Sequence, residues 1–162
     1  MNLESLLTSL QETSIATAIR ENEILFPWIE SIHVLAFVVV VGSISIVDLR
    51  LLGLASRERP VDGLLREVLP ITWGAFAVAA TAGGLLFSSK ALDYAHSSLF
   101  QAKMALLALA GINMAVFHAF TGRTADRWKA TVPVGAKAAG ALSLILWIGV
   151  VACGRWIGFT MK

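Results

Sequence analysis

Four stretches without a single Asp, Glu, Lys or Arg dominate this chain: Ser31–Val47, Val68–Ser89, Met104–Gly122 and Ala138–Gly154, of 17, 22, 19 and 17 residues. A helix needs about 20 apolar residues to cross the hydrocarbon of a bilayer. In lipid the backbone must satisfy its own hydrogen bonds, which a helix does within one segment. The sequence therefore predicts four spans, at about 27–48, 69–89, 99–120 and 138–158. Short connections make successive helices antiparallel, so the expected fold is all-α, an up-down-up-down four-helix membrane bundle. Of 162 residues, 57% are hydrophobic and 15% charged, with a mean hydropathy of +0.75. A soluble domain of this size has a high surface-to-volume ratio and needs far more polar surface. One membrane domain, 1–162, fills the chain and leaves no room for a soluble catalytic module.

The first 24 residues differ. Leu3, Leu6, Leu7 and Leu10 recur at helical spacing, and Ile15 and Ile19 continue an apolar face after Thr13-Ser14. One or two amphipathic helices lying on the membrane surface or on the bundle fit this pattern. The basic start of a secretory signal is missing, and glutamates punctuate the stretch from Glu4 to Glu23. A net charge of +2, with no basic stretch interleaved with aromatics, argues against nucleic acid. The single cysteine, Cys153, has no partner for an intrachain disulfide and reads as a small apolar residue of the fourth span. No nucleophile elbow, phosphate-binding loop or HExxH motif is present.

Cationic residues set the orientation. Arg50, Arg57, Arg59 and Arg66 follow the first span, and Arg123, Arg127, Lys129 and Lys137 follow the third. This bias puts both basic loops in the cytosol and both termini outside, in the periplasm of a bacterium. Trp28, Trp73, Trp128 and Trp156 fall near span ends, where an amphipathic ring prefers the interface.

Close helix contacts in lipid come from small residues, because lipid tails provide no hydrophobic push between helices. Ala75, Ala79 and Gly83 form one such stripe, with Ala80 and Gly84 beside it. Gly140, Ser143, Trp147, Val151 and Gly154 form another, and Gly111 precedes His118 on the third span. These faces permit a homo-oligomer without requiring one. Ser98-Leu99-Phe100-Gln101 reads as a capping box that starts the third span.

The polar residues of the spans sort by depth. At 100° per residue, Glu30, His33, Phe37, Val41, Ile44 and Asp48 fall within about 60° of one another, so they share the face that looks into the bundle. Pointing such groups at lipid would cost roughly 2.5–3.5 kcal/mol each at mid-membrane. Glu30 and Asp48 are about 27 Å apart along the helix. An outer layer thus collects Glu30, His33, Lys90, Asp93, Tyr94, His96, Gln101, Lys103, Arg155 and Trp156. An inner layer collects Asp48, Arg50, Trp73, Asn113 and His118.

Several roles are open to these groups. Glu30-x-x-His33 is half of a carboxylate–histidine metal motif; it also suits hydrogen bonding across helices or contact with a quinone. His33 and His96 are the candidate metal or haem ligands, since both belong to the outer layer. His33 and His118 differ in depth by very roughly 15–20 Å, too much for one iron. Lys103 and Arg155 either snorkel to water or clamp an anion such as a haem propionate, a carboxylate or a quinone carbonyl. Tyr94 and His96 sit in an outer hairpin that is either a lid or an ordinary turn. Asp48 with Arg50 reads as an ion pair or a loop anchor.

The stretches "FPWIESIHVLAFVVVVGSISIVDLRLLG", "PITWGAFAVAATAGGLLF", "YAHSSLFQAKMALLALAGINMAVFH" and "LWIGVVACGRWIGF" together resemble a family of small bacterial four-helix membrane proteins classed as a domain of unknown function. The resemblance covers nearly the whole chain. It implies an inner-membrane location and a pattern centred on His33, Asp48, Arg50, Trp73, Tyr94, Lys103, Asn113, His118, Trp147 and Arg155, and it implies no activity. The plan is also similar to four-helix membrane cytochromes b, an analogy of architecture alone. The leading expectation is a subunit that holds haem b or a quinone in the outer half and exchanges electrons with a periplasmic or membrane redox partner. A small metal or solute transporter and a non-catalytic scaffold are the alternatives.

Overall fold

The computed structural model describes residues 2–121, 125, 128 and 132–160. Among these there are seven α-helices and no strand: α1 (Leu3–Gln11), α2 (Ser14–Glu21), α3 (Leu25–Leu52), α4 (Val61–Ser89), α5 (Ala91–His96), α6 (Ser98–Val116) and α7 (Val134–Thr160). A π-helical turn, Phe117–Thr121, extends α6. Helices α3, α4, α6 with its extension, and α7 are each long and apolar enough to cross a membrane. The protein is a multi-pass, all-α membrane protein.

Local chemistry sets the helix ends. The Asn22 side chain accepts from the Ile24 and Leu25 amides (2.9 and 3.0 Å) where α3 begins. Gly53 ends α3 in a left-handed conformation (φ 74°) that costs glycine nothing, and its amide returns to the Arg50 and Leu49 carbonyls. Helix α4 starts after Pro60, about two turns earlier than hydropathy predicts. Arg66 therefore lies on a helix rather than in the loop, because polar residues of a first helical turn carry no hydropathy signal. The N-cap of α6 is Ser97, whose hydroxyl accepts from the Phe100 amide at 3.4 Å. The expected capping box at Ser98 is thus displaced by one residue, and Gln101 donates instead to the Ala95 carbonyl at 2.8 Å.

Consecutive spans are antiparallel. His33, early in α3, meets Ala79 and Gly83, late in α4. Asn113, late in α6, donates to the Ala139 carbonyl, early in α7, at 3.0 Å. Late in α3, the Asp48 backbone lies against Gly140, early in α7. Helix α3 packs closely on both α4 and α7, and α7 packs on α6, whereas α4 and α6 are not a closely packed pair. The four spans form a ring with one loose side. Side chains bridge that side at one end, where Phe87 of α4 stacks on Phe100 of α6 (centroids 5.3 Å) and Tyr94 tilts against both.

Apolar packing divides into two clusters. Val40, Ala110, Leu146, Trp147 and Val150 fill the middle, with Phe37, Val41, Ile44, Ala75, Leu106 and Leu107 against them. Val47, Leu51, Val61, Leu64, Phe117, Ala125 and Ala136 fill the end near Asp48. The expected α7 stripe is nearly right: Gly140, Ser143 and Trp147 are buried, but Val150 turns inward and Val151 outward. Ala80, Gly84 and Gly111 face outward, away from any seam of the single chain.

The N-terminal segment is two helices, broken where Thr13 caps α2 by accepting from the Ala16 amide. Ala16 and Ile19 are buried. Arg20 donates to the Gln11 and Ser89 carbonyls (3.2 and 3.3 Å), and the Gln11 side chain accepts from the Leu92 amide at 3.3 Å. Helix α1 buries no residue and leaves Leu3, Leu6 and Leu10 exposed, which suits a helix lying in the membrane interface.

Candidate functional site

His33 is held by backbone. Its Nδ1 lies 2.7 Å from the Ala79 carbonyl. A carbonyl only accepts, so Nδ1 carries the hydrogen and Nε2 of the neutral ring is left as an acceptor. The ring fits there because residue 83 is glycine: a Cβ at Gly83 would fall 2.9 Å from Cε1 and 3.1 Å from Nδ1. Phe37, one turn along α3, lies roughly parallel to the imidazole (centroids 6.2 Å) and itself contacts Trp147 at 5.8 Å. Nε2 makes no hydrogen bond among the described residues.

Lys103 enters the same end of the bundle from α6. Its ammonium stands over the Phe37 ring at 5.8 Å, and its end reaches the notch at Gly154 of α7, where a Cβ would meet Nζ at 3.7 Å. It is therefore turned inward, against its reading as a snorkelling residue. Among the described residues it forms no ion pair, and the thiol of Cys153 is its ionisable neighbour. Lys103 and Glu30 are the charged side chains within electrostatic reach of His33. All four spans thus contribute: α3 the imidazole, α4 the carbonyl and glycine seat, α6 the ammonium, α7 the glycine notch.

Other predicted residues stand elsewhere. His96 is exposed on α5, with Nδ1 on the Leu92 carbonyl (2.9 Å) and Nε2 4.0 Å from a Glu4 oxygen of α1. The structure does not bring it to His33, and among the described residues no group of three His, Cys, Asp or Glu side chains is placed to hold a metal. Arg155 is exposed and lies over Phe159 of its own helix at 4.4 Å, not with Lys103. Glu30 is exposed, and Ala79 rather than Glu30 orients the imidazole. Sequence periodicity had no means of finding that role, because the orienting atom is a backbone carbonyl.

Tyr94 is half-buried on α5, between the Phe87–Phe100 stack and the carboxylates of Glu30 and Asp93. Burial first, and those carboxylates second, hold its phenol above the ordinary tyrosine value. Tyr94 is the only tyrosine in the chain, so ultraviolet titration reads it directly. Its midpoint is expected above the usual value of about 10. Because the folded value exceeds the unfolded one, stability falls as pH rises from about 10 through the folded value. A midpoint at or below 10 in folded protein would contradict this burial.

The second polar layer is not one site. Asp48 and Arg50 are both buried but do not pair, since residues two apart on a helix face different ways. Arg50 anchors the loop by donating Nε to the Arg59 carbonyl at 2.7 Å, and Asp48 has the Ser143 hydroxyl of α7 as a polar neighbour. Asn113 ties α6 to α7. Trp73 is exposed beside Phe76, and His118 is exposed on the π-helical turn with Nδ1 on the Met114 carbonyl (2.9 Å). Arg123, Arg127 and Lys129 of the expected basic loop lie outside the described residues.

The chain belongs to the family of unknown function DUF6644, whose family model matches residues 11–160. No curated protein and no solved structure matches it.

Proposed function

We propose that this chain is the quinone-binding subunit of an electron-transfer system in a bacterial cytoplasmic membrane, with both termini and the quinone head-group site on the periplasmic side. The observation that carries this is the pairing, at one end of the bundle, of an imidazole whose Nδ1 is spent on the Ala79 carbonyl with an ammonium that has no counter-ion among the described residues. A quinone head group presents two oxygens to such a pair. The free Nε2 accepts a hydrogen bond from a quinol hydroxyl. The Lys103 ammonium donates to the other oxygen and favours negative charge there. Phe37 and Trp147, their rings tilted 56° to each other, supply an apolar wall. The loose side between α4 and α6 gives an isoprenoid tail a path to lipid below the Phe87–Phe100 stack. A haem held between His33 and His96 finds less support, since the two rings are not brought together.

Orientation rests on charge. Arg50, Arg57 and Arg59 cluster at the Asp48 end, with Arg66 and Lys137 following on α4 and α7, so that end is assigned to the cytosol. Between it and the His33 end lies the apolar cluster around Val40, Leu146 and Val150, which favours a binding site at one end over a solute path through a single chain.

Equilibrium binding of a short-tailed ubiquinol analogue, kept reduced, to protein in lipid nanodiscs tests the proposal. One charge-assisted hydrogen bond is worth about 1.5–3 kcal/mol. Lys103→Met is expected to weaken binding by about tenfold or more, and His33→Ala, which removes a neutral hydrogen bond, by up to about tenfold. Wild-type affinity in both variants would remove the site from consideration.

A further inference from the structure

Asp48 takes no part in the His33 site. It lies 15 residues further along α3, about 22 Å at the helical rise. It is buried to 5% exposure, and its Oδ2 is shielded from solvent with no hydrogen-bond partner among the described residues. On the α7 side it meets Ser143 and the bare backbone of Gly140. Cations are near in sequence yet none is paired with it among the described residues. Arg50 of its own helix is turned to the Arg59 carbonyl. The Arg59 guanidinium pairs with Glu67 of α4 at 3.0 Å. Arg66 of α4 and Lys137 of α7 are exposed, and Asp62, half-buried in the first turn of α4, would only repel a carboxylate. The polar groups of the adjoining turn, Ser43 and Thr72, are bonded to each other at 2.7 Å.

An ionised carboxylate is poorly tolerated where one oxygen has neither donor nor cation, and ionisable side chains inside membrane segments mark proton or ion sites. We infer that Asp48 is a proton-binding site within the bundle, separate from the quinone site and independent of it. The carboxyl keeps its proton on Oδ2 while the α3–α7 corner is dry. When water reaches that oxygen, the O–H bond breaks, the electron pair stays on the carboxylate, and water takes the proton as hydronium.

Infrared spectroscopy of the full chain in lipid vesicles, in light and heavy water, tests this without reference to quinone. At neutral pH the wild type is expected to show the carbonyl stretch of a protonated carboxylic acid, shifted in heavy water. The band should vanish in Asp48→Asn, whose amide keeps the shape of the neutral acid. Ser143→Ala should move the band in frequency, because it removes the hydroxyl beside the carboxyl, and this reading stands even where the Asn variant folds poorly. A wild type without the band, a band unchanged in Asp48→Asn, or one unmoved by Ser143→Ala would overturn the inference.

Discussion

Gly83→Leu is expected to abolish binding of the quinol analogue while leaving the four-span fold in place. A Cβ at position 83 already falls 2.9 Å from the His33 ring, and a leucine side chain needs the whole space the imidazole occupies. The ring must leave, and Nδ1–H then loses the Ala79 carbonyl that orients it. Binding loses the Nε2 contact and gains a steric block, so its fall should exceed that of His33→Ala, by about a hundredfold or more against wild type if each effect is worth about 1.4 kcal/mol. Overpacking of this kind costs stability by about 1–3 kcal/mol. Gly84→Leu is the matched control, because a Cβ there meets nothing within 4 Å. Retained affinity in Gly83→Leu would show that the seat of His33 on α4 is irrelevant to binding.

The largest loss of stability is expected from Gly140→Leu. At this position a Cβ would lie 3.2 Å from the Asp48 carbonyl oxygen and 3.2 Å from the Leu51 Cβ. Neither atom belongs to a flexible side-chain tip, so α3 and α7 must separate. In lipid, close packing is the main source of helix association. A displaced seam therefore forfeits contacts along its length as well as at the clash, and a cost of about 3 kcal/mol, the upper end for overpacking, is expected. At Gly149 the atom met, at 3.0 Å, is the tip of Leu106, which has room to rotate; Gly149→Ala should cost less. Gly158→Leu, with nothing within 4 Å, should cost nothing measurable. Denaturation in mixed micelles ranks the three. Equal stability of Gly140→Leu and Gly158→Leu would contradict the close approach of α3 to α7.

The spans and their antiparallel order are legible in the sequence because exclusion of charge from lipid is a one-dimensional signal. The inward face of α3 is legible for the same reason, except at its outer end: His33, Phe37, Val41, Ile44 and Asp48 turn toward other helices, whereas Glu30 is exposed. Depth is legible too, since helical rise together with the antiparallel order of the spans puts His33 and Lys103 in one layer. Rotation of the other helices is not. Arg155 and Lys103 share a level, yet one faces outward and the other inward, and four spans of nearly uniform hydropathy give no moment to tell them apart. His96 misleads because a six-residue helix, α5, turns it toward Glu4 of the N-terminal cap. The seat of His33 was partly visible as the Ala79–Gly83 stripe, which is its floor as well as a seam.

Photolabelling with an azidoquinone in native-like membranes bears most directly on the central claim. Saturable labelling is expected in the first turns of α3, the last turns of α4 and the segment around Lys103, competed by unlabelled quinone and lost in Gly83→Leu. Labelling confined to the Asp48 end, or labelling that neither saturates nor responds to Gly83→Leu, would contradict a quinone site at His33.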